Sequence, residues 1–191
     1  MISKFRLSTV FSILAVGIVS VPLAAQTSHK GRIAVMSSAG FVTGLGGTHG
    51  ALSGGALAAL TDQFWLSGEV MYVPLGGESL DFVEVQSEFN ARAIGFNFGG
   101  QYELNRSNKL KPYFGAGVGL IHSSSDSSVT ATVAGFDLSS GSSDTNAFLS
   151  LSGGARYYMS ERFGFQPDLT LFLGHRTFAR LSGGVFFQFG K

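Results

Sequence analysis

Apolar and polar residues alternate with a period of two along most of this chain, which is the period of a strand whose two faces meet different surroundings. The last stretch, FARLSGGVFFQF over residues 178–189, shows the pattern most plainly. Ala179, Leu181, Gly183, Val185, Phe187 and Phe189 share one face, and Phe178, Arg180, Ser182, Gly184, Phe186 and Gln188 share the other. The same alternation runs through residues 64–74, 93–104, 111–122, 147–159 and 163–174. Nearer the start, Ile33, Val35, Ser37, Ala39 and Phe41 oppose Arg32, Ala34, Met36 and Ser38, and a glycine-rich turn region at 44–50 leads into ALSGGALAAL. Gly46, Gly50 and Gly54 carry a helix-dimerisation spacing, but each interior glycine costs a helix about 1 kcal/mol relative to alanine, so this stretch too is read as strand.

About eight such segments are joined alternately by tight polar turns, at 61–63, 105–109 and 160–162, and by longer polar connections, at 75–86 and 123–146. The second long connection, rich in Ser, Thr, Asp and Gly, reads as a mobile loop whose VTATVAGFDL could extend the flanking strands as a hairpin. Short turns alternating with long connections between amphipathic strands are the signature of a transmembrane β-barrel. The predicted fold class is therefore all-β: an eight-stranded antiparallel up-and-down barrel, with both ends of the strand array and the short turns on the periplasmic side. Its last strand closes on its first and leaves no free edge.

Composition supports a lipid-facing wall. The chain has 27 Gly and 18 Phe, and only 13% of its residues are charged, where a soluble domain carries about 25%. Lys4 and Arg6 precede an apolar run at 10–19 and a small-residue cleavage site at 22–25, so residues 1–25 are expected to be a removed signal peptide and 26–191 the barrel domain. Taking Lys4 and Arg6 from the 13 basic residues leaves 11 against 12 acidic ones. No basic patch points to nucleic acid. With no cysteine there is no lipoprotein anchor, disulfide framework or thiolate metal site.

Charge decides which face meets lipid. A Lys or Arg at the bilayer midplane costs about 2–4 kcal/mol, and an acid somewhat less. This sends Glu69, Gln166 and Asp168 inward and gathers Arg32, Glu69, Glu103, Arg156, Asp168 and Arg180 in the lumen. The interior of an eight-stranded barrel is about filled by side chains, so these six are expected to form a structural network and not a pore. The outward set puts Phe64, Tyr102, Phe114, Tyr157, Phe163 and Phe189 in an interfacial girdle. Leu-Ser-Gly-Gly recurs at Leu52, Leu151 and Leu181, each time with Leu on the lipid face and Ser on the lumen face.

KPYFGAGVGL at 111–120, GGARYYMSERFGFQPDL at 153–169 and LSGGVFFQF at 181–189 resemble the outer membrane protein A-like β-barrel family. The resemblance implies a place in the outer membrane, in contact with its lipid and lipopolysaccharide, as a monomer. It also implies that Gly184, Phe187 and Phe189 form a C-terminal signal read by the barrel-assembly machinery, here followed by Gly190 and Lys191. The peptidoglycan-binding domain of many relatives is expected to be absent. No metal cluster, phosphate loop or dinucleotide motif appears, and Gly115-Ala-Gly-Val-Gly lies within a strand, so no cofactor or metal is expected. One enzyme-like feature exists: His122 and Ser124, with Asp126 and Asp137 downstream, are similar to the His-x-Ser arrangement of outer-membrane lipid A deacylases. The competing reading is an interfacial histidine beside a serine-rich segment. A structural or surface-interaction role is the expectation, with a lipid A deacylase using His122 and Ser124, or a small-solute pore, as alternatives.

Overall fold

The structure, a computed structural model, describes residues 31–82, 85–104, 109–131 and 136–190. The expected signal peptide lies outside these residues. Eight strands follow one another: β1 (Ile33–Thr43), β2 (Thr48–Ala59), β3 (Phe64–Phe82), β4 (Val85–Glu103), β5 (Leu110–Ala131), β6 (Phe136–Tyr158), β7 (Phe163–Gly174) and β8 (Phe178–Phe189). Each pairs antiparallel with the next, and β8 pairs with β1 from Ile33↔Phe189 to Thr43↔Ala179, closing the barrel.

Alternation along the chain becomes inside and outside. In β7 and β8 every second residue is buried or nearly so, and the intervening Phe163, Phe165, Leu169, Leu171, Leu181, Val185, Phe187 and Phe189 are exposed. The lumen side chains are those the charge argument sends inward: Glu103, Arg156, Asp168 and Arg180 are buried, and Glu69 is nearly so. Where the chain crosses between strands, side-chain oxygens fold the turn. Thr61 Oγ1 accepts the Phe64 N–H at 2.9 Å, and Ser160 Oγ accepts the Phe163 N–H at 3.1 Å. Both turns are hydroxyl-closed and hand over to a phenylalanine that starts the next strand. These turns, with the start of β1 and the end of β8, mark one rim of the barrel, the turn end; the opposite rim is the hairpin end. At the hairpin end, β1 and β2 are joined through Gly44 and Gly46, whose φ values of +108° and +86° suit glycine.

The two long connections are strands for most of their length, which corrects the loop reading. β3 and β4 stay paired to Phe82↔Val85, and β5 and β6 to Ala131↔Phe136. Beyond the bilayer both faces of a hairpin meet water, so hydrophobic alternation fades while backbone pairing continues. Ser123↔Asp144, Ser124↔Ser143 and Ser125↔Ser142 sit in register as a ladder of small polar residues. One irregularity lies between Pro74 and Gly76, where the β3–β4 register shifts and Gly76 takes φ +125°.

The strands therefore differ in height. β1, β2, β7 and β8 have 11, 12, 12 and 12 residues, close to the roughly 9–11 that cross a membrane. β3 to β6 have 19, 19, 22 and 23. The β2–β3 ladder reaches Leu52↔Tyr72 and the β6–β7 ladder starts at Phe148↔Gly174, so residues 73–82 and 136–147 rise with no ladder to the short strands.

Candidate functional site

Two places hold residues singled out in the sequence: the lumen and the base of the tall hairpins. At the hairpin end the lumen is apolar. Val42, Ala51, Val73, Ala93, Ile121, Phe148, Phe172 and Phe178 form one buried cluster. The Phe172 and Phe178 rings stack at 4.4 Å between centroids, and Phe148 meets Phe172 edge-on at 5.0 Å. Space for this plug comes from the facing strand. Gly119 is directly opposite Phe148, and a Cβ at Gly119 would run into the Phe148 ring. Gly154 leaves the same room for the Tyr113 ring, with 2.7 Å from a built Cβ to the phenol oxygen. Aromatic rings laid over glycines on a neighbouring strand are a known way of filling a closed sheet.

Below the plug, charges are paired across the barrel. Arg180 on β8 grips Glu69 on β3 through two bonds, at 2.7 and 3.0 Å, and reaches Asp168 on β7 at 3.5 Å. Asp168 also accepts the Tyr113 hydroxyl at 2.6 Å and the Thr170 hydroxyl at 2.5 Å. Gln166 donates to the Tyr113 hydroxyl at 2.8 Å. Closer to the turn end, Arg156 on β6 donates to Glu103 and Gln101 on β4, and its Nε donates to Gln166 on β7 at 3.0 Å. Its guanidinium lies over the rings of Tyr113 and Trp65, at 4.8 and 5.2 Å. Lys111 Nζ stands 3.8 Å from the other Glu103 oxygen. Bidentate and stacked contacts of this kind are what a guanidinium offers and an ammonium does not.

Five of the six residues assigned to the lumen network thus fall into two ion-paired groups. Arg32 does not join them; it lines the mouth at the turn end. Gln166 was sent inward from the sequence, but the other neutral members, Gln101 and Tyr113, and the ring of Trp65 were not singled out, because the face rule was applied mainly to charges. Their inward phase was readable, so applying the face rule to every polar side chain would have found them. Beside the ion pairs, a cavity of about 30 Å³ is lined by Glu69, Asp168, Arg180, Gln101, Gln166 and Ser150 among others. At about 10–15 Å³ per water-sized probe, that is room for two or three waters and not a channel.

His122 and Ser124 lie on β5 at the base of its tall part. His122 is exposed, and its Nδ1 shares a 2.8 Å hydrogen bond with the Thr145 hydroxyl on β6. Ser124 Oγ accepts from Arg92 Nε on β4 at 3.3 Å. The two side chains are bonded to opposite neighbours, and no described hydrogen bond joins them. Asp126 is exposed, opposite Gly141 on β6. Of the C-terminal triplet, Phe187 and Phe189 point outward with ring centroids 4.9 Å apart, and Gly184 is buried against Ser38 of β1. Among the described residues no group of three or more His, Cys, Asp or Glu could hold a metal.

Solved structures with the same architecture share little sequence with this chain. Ail, the attachment invasion locus protein of Yersinia pestis, is 12% identical with a TM-score of 0.54, over 85% of this chain and 100% of Ail. Neisserial surface protein A is 16% identical at 0.54, over 83% and 97%. The N-terminal β-barrel domain of Pseudomonas aeruginosa OprF is 18% identical at 0.52, over 84% and 100%. No curated protein matches at the level of sequence. The family described as outer membrane protein beta-barrel domain matches residues 11–173. With its closed eight-stranded wall, filled lumen and apolar exterior, the chain belongs to the outer membrane protein beta-barrel family.

Proposed function

We propose that this outer-membrane protein is a surface-interaction barrel whose working part is the tall wall of β3 to β6. The observation that carries the reading is the difference in strand length. The tall strands outlast their neighbours by roughly ten residues, which at about 3.4 Å per residue and a tilt of about 40° lifts them roughly 25 Å above the short rim. Such a projection has no use in spanning the membrane. In this reading residues 1–25 direct export and are removed, the turn end faces the periplasm, and the hairpins face outward from a monomer surrounded by lipid and lipopolysaccharide. Gly184, Phe187 and Phe189 would serve insertion by the assembly machinery.

The chemistry of the wall narrows its partner. Segments 75–92 and 123–146 contain Glu78, Asp81, Glu84, Glu88, Asp126, Asp137 and Asp144 against Arg92 alone. A surface this acidic favours a basic protein or peptide. Ail has been solved in complex with the heparin analogue sucrose octasulfate, but a polyanion is the wrong sign for the wall described here. The apolar plug speaks for a lumen that does not conduct, and the separate bonds of His122 and Ser124 speak for a wall without a hydrolase dyad.

The test is to trim β5 and β6 to the height of their neighbours, replacing residues 124–143 with a two-residue Asn-Gly turn. The trimmed protein should insert into the outer membrane and remain folded in detergent, yet bind immobilised basic peptide at least about tenfold more weakly than the parent, a loss of about 1.4 kcal/mol. Equal binding by the trimmed and full-length proteins would rule out the β5–β6 hairpin as the working surface, and equal binding after the same trim of β3 and β4 would rule out the tall wall.

A further inference from the structure

The mouth at the turn end carries the opposite charge. A cup of about 700 Å³ opens there, lined by Arg32 from ahead of β1, Lys109 from ahead of β5, Lys111 from the start of β5, and Arg162 from the β6–β7 turn. Tyr158 and Gln188 also line it. Among the described residues, Glu161 is the one acid in the lining, and even with Lys109 left out of the count Arg32, Lys111 and Arg162 outnumber it three to one. The nearby Glu103 is shared between Arg156 and Lys111, and because Arg156 adds the charge that Glu103 removes, the net excess is unchanged. Lys111 is held in place, with Nζ 5.3 Å from the Tyr158 ring centroid and 3.8 Å from Glu103. Above the cup lie the Arg156 group and the aromatic plug, so it is blind: nothing drawn into it can pass through.

Three separate stretches of chain bring these cations to one concavity, and like charges held together raise the energy of the site until an anion enters. Two guanidinium forks and two ammonium groups around one opening match a compact, multiply charged oxyanion better than a single carboxylate. We propose that the cup at the turn end binds a phosphate group. The phosphate could be free or carried by a small solute, or it could be the phosphodiester of an anionic phospholipid folded over the rim from the adjoining leaflet. The site is at the far end of the molecule from the acidic wall, so it stands independently of the surface role proposed above.

The experiment uses the full barrel with its amides labelled, at constant ionic strength, and follows Lys111, Tyr158 and Gln188 by nuclear magnetic resonance. Inorganic phosphate is titrated into protein in neutral detergent. In parallel, nanodiscs of phosphatidylcholine are compared with nanodiscs containing phosphatidylglycerol, which present the headgroup at both rims. Saturable shifts with phosphate alone identify a free anion. Shifts that need phosphatidylglycerol identify the headgroup. In either case Arg162→Gln, an exposed turn substitution, should weaken the binding about tenfold, as expected for one lost charge-assisted hydrogen bond. Lys111→Gln should do the same. The proposal is overturned if neither ligand gives saturable shifts, if chloride at equal ionic strength reproduces them, or if both variants bind like the parent.

Discussion

The short wall, β7, β8, β1 and β2, and the tall wall, β3 to β6, follow the same backbone rules in different solvents. The short strands lie almost wholly between lipid and lumen, and nearly every second residue of β7 and β8 is buried. The tall strands begin the same way, then leave the bilayer, and β5 and β6 become a ladder rich in serine, threonine and aspartate. The difference teaches that strand pairing and amphipathic pattern are separable. Backbone hydrogen bonding carries β5 and β6 on to Ala131↔Phe136 after the hydrophobic contrast has gone.

The two walls are joined across the lumen by side chains. Arg180 on the short wall holds Glu69 on the tall one, Tyr113 on the tall wall holds Asp168 on the short one, and Arg156 on β6 reaches both β4 and β7. The largest effect should come from cutting these ties. Arg156→Leu leaves the buried Glu103 carboxylate with only Lys111 at 3.8 Å, and stranding one partner of a buried pair costs about 3–5 kcal/mol. Urea unfolding of the detergent-folded barrel, read from Trp65, the one tryptophan, should show the loss. Adding Glu103→Gln should restore much of it. A loss below about 1 kcal/mol would mean that the barrel does not depend on this pair, which lies within the tall wall, and would leave the joining of the walls to Arg180–Glu69 and Tyr113–Asp168.

Next comes the plug where the walls meet at the hairpin end. Phe148→Ala removes a buried ring packed against Phe172 and Phe178, with an expected cost of about 3 kcal/mol. The same variant should raise single-channel conductance in planar bilayers if the plug is what closes the lumen. Unchanged conductance would place the block at the ion pairs instead. The smallest effect belongs to the projecting part. Arg92→Ala removes an exposed 3.3 Å contact with Ser124 and should change stability by less than about 0.5 kcal/mol. A larger change would show that the tall wall stiffens the barrel below it.

How much of this was legible in the sequence follows the same division. Within the bilayer, two solvents imprint a period of two, and one misplaced charge costs enough to fix the phase. Glu69, Asp168, Arg156 and Arg180 were therefore placed inside from the sequence alone. Above the rim, water on both sides erases the period, and 75–86 and 123–146 read as connections although strands run through most of both. Within the lumen, the pairing of particular charges was not readable, because it depends on heights set by the barrel's stagger. Arg32 illustrates this: its inward phase is right, but it stands at the mouth, out of line with the carboxylates that Arg156 and Arg180 take. The separation of His122 from Ser124 likewise rests on which neighbour each meets across the sheet, Thr145 on one side and Arg92 on the other.

The rings laid over glycines on β5 and β6 also act as a gauge. The smallest slip that keeps the lumen and lipid faces apart is two residues. In one direction it would drive Phe148 against Ile121 in place of Gly119; in the other it would set Tyr113 against Ser152 in place of Gly154. The two rings stand at opposite ends of the membrane-spanning part of the hairpin; the first slip would also set Tyr113 against Arg156, so Phe148 penalises one slip and Tyr113 both. The longest hairpin of the molecule, with a serine-rich half that would pair almost equally well in several registers, takes its alignment from the end that sits in the membrane.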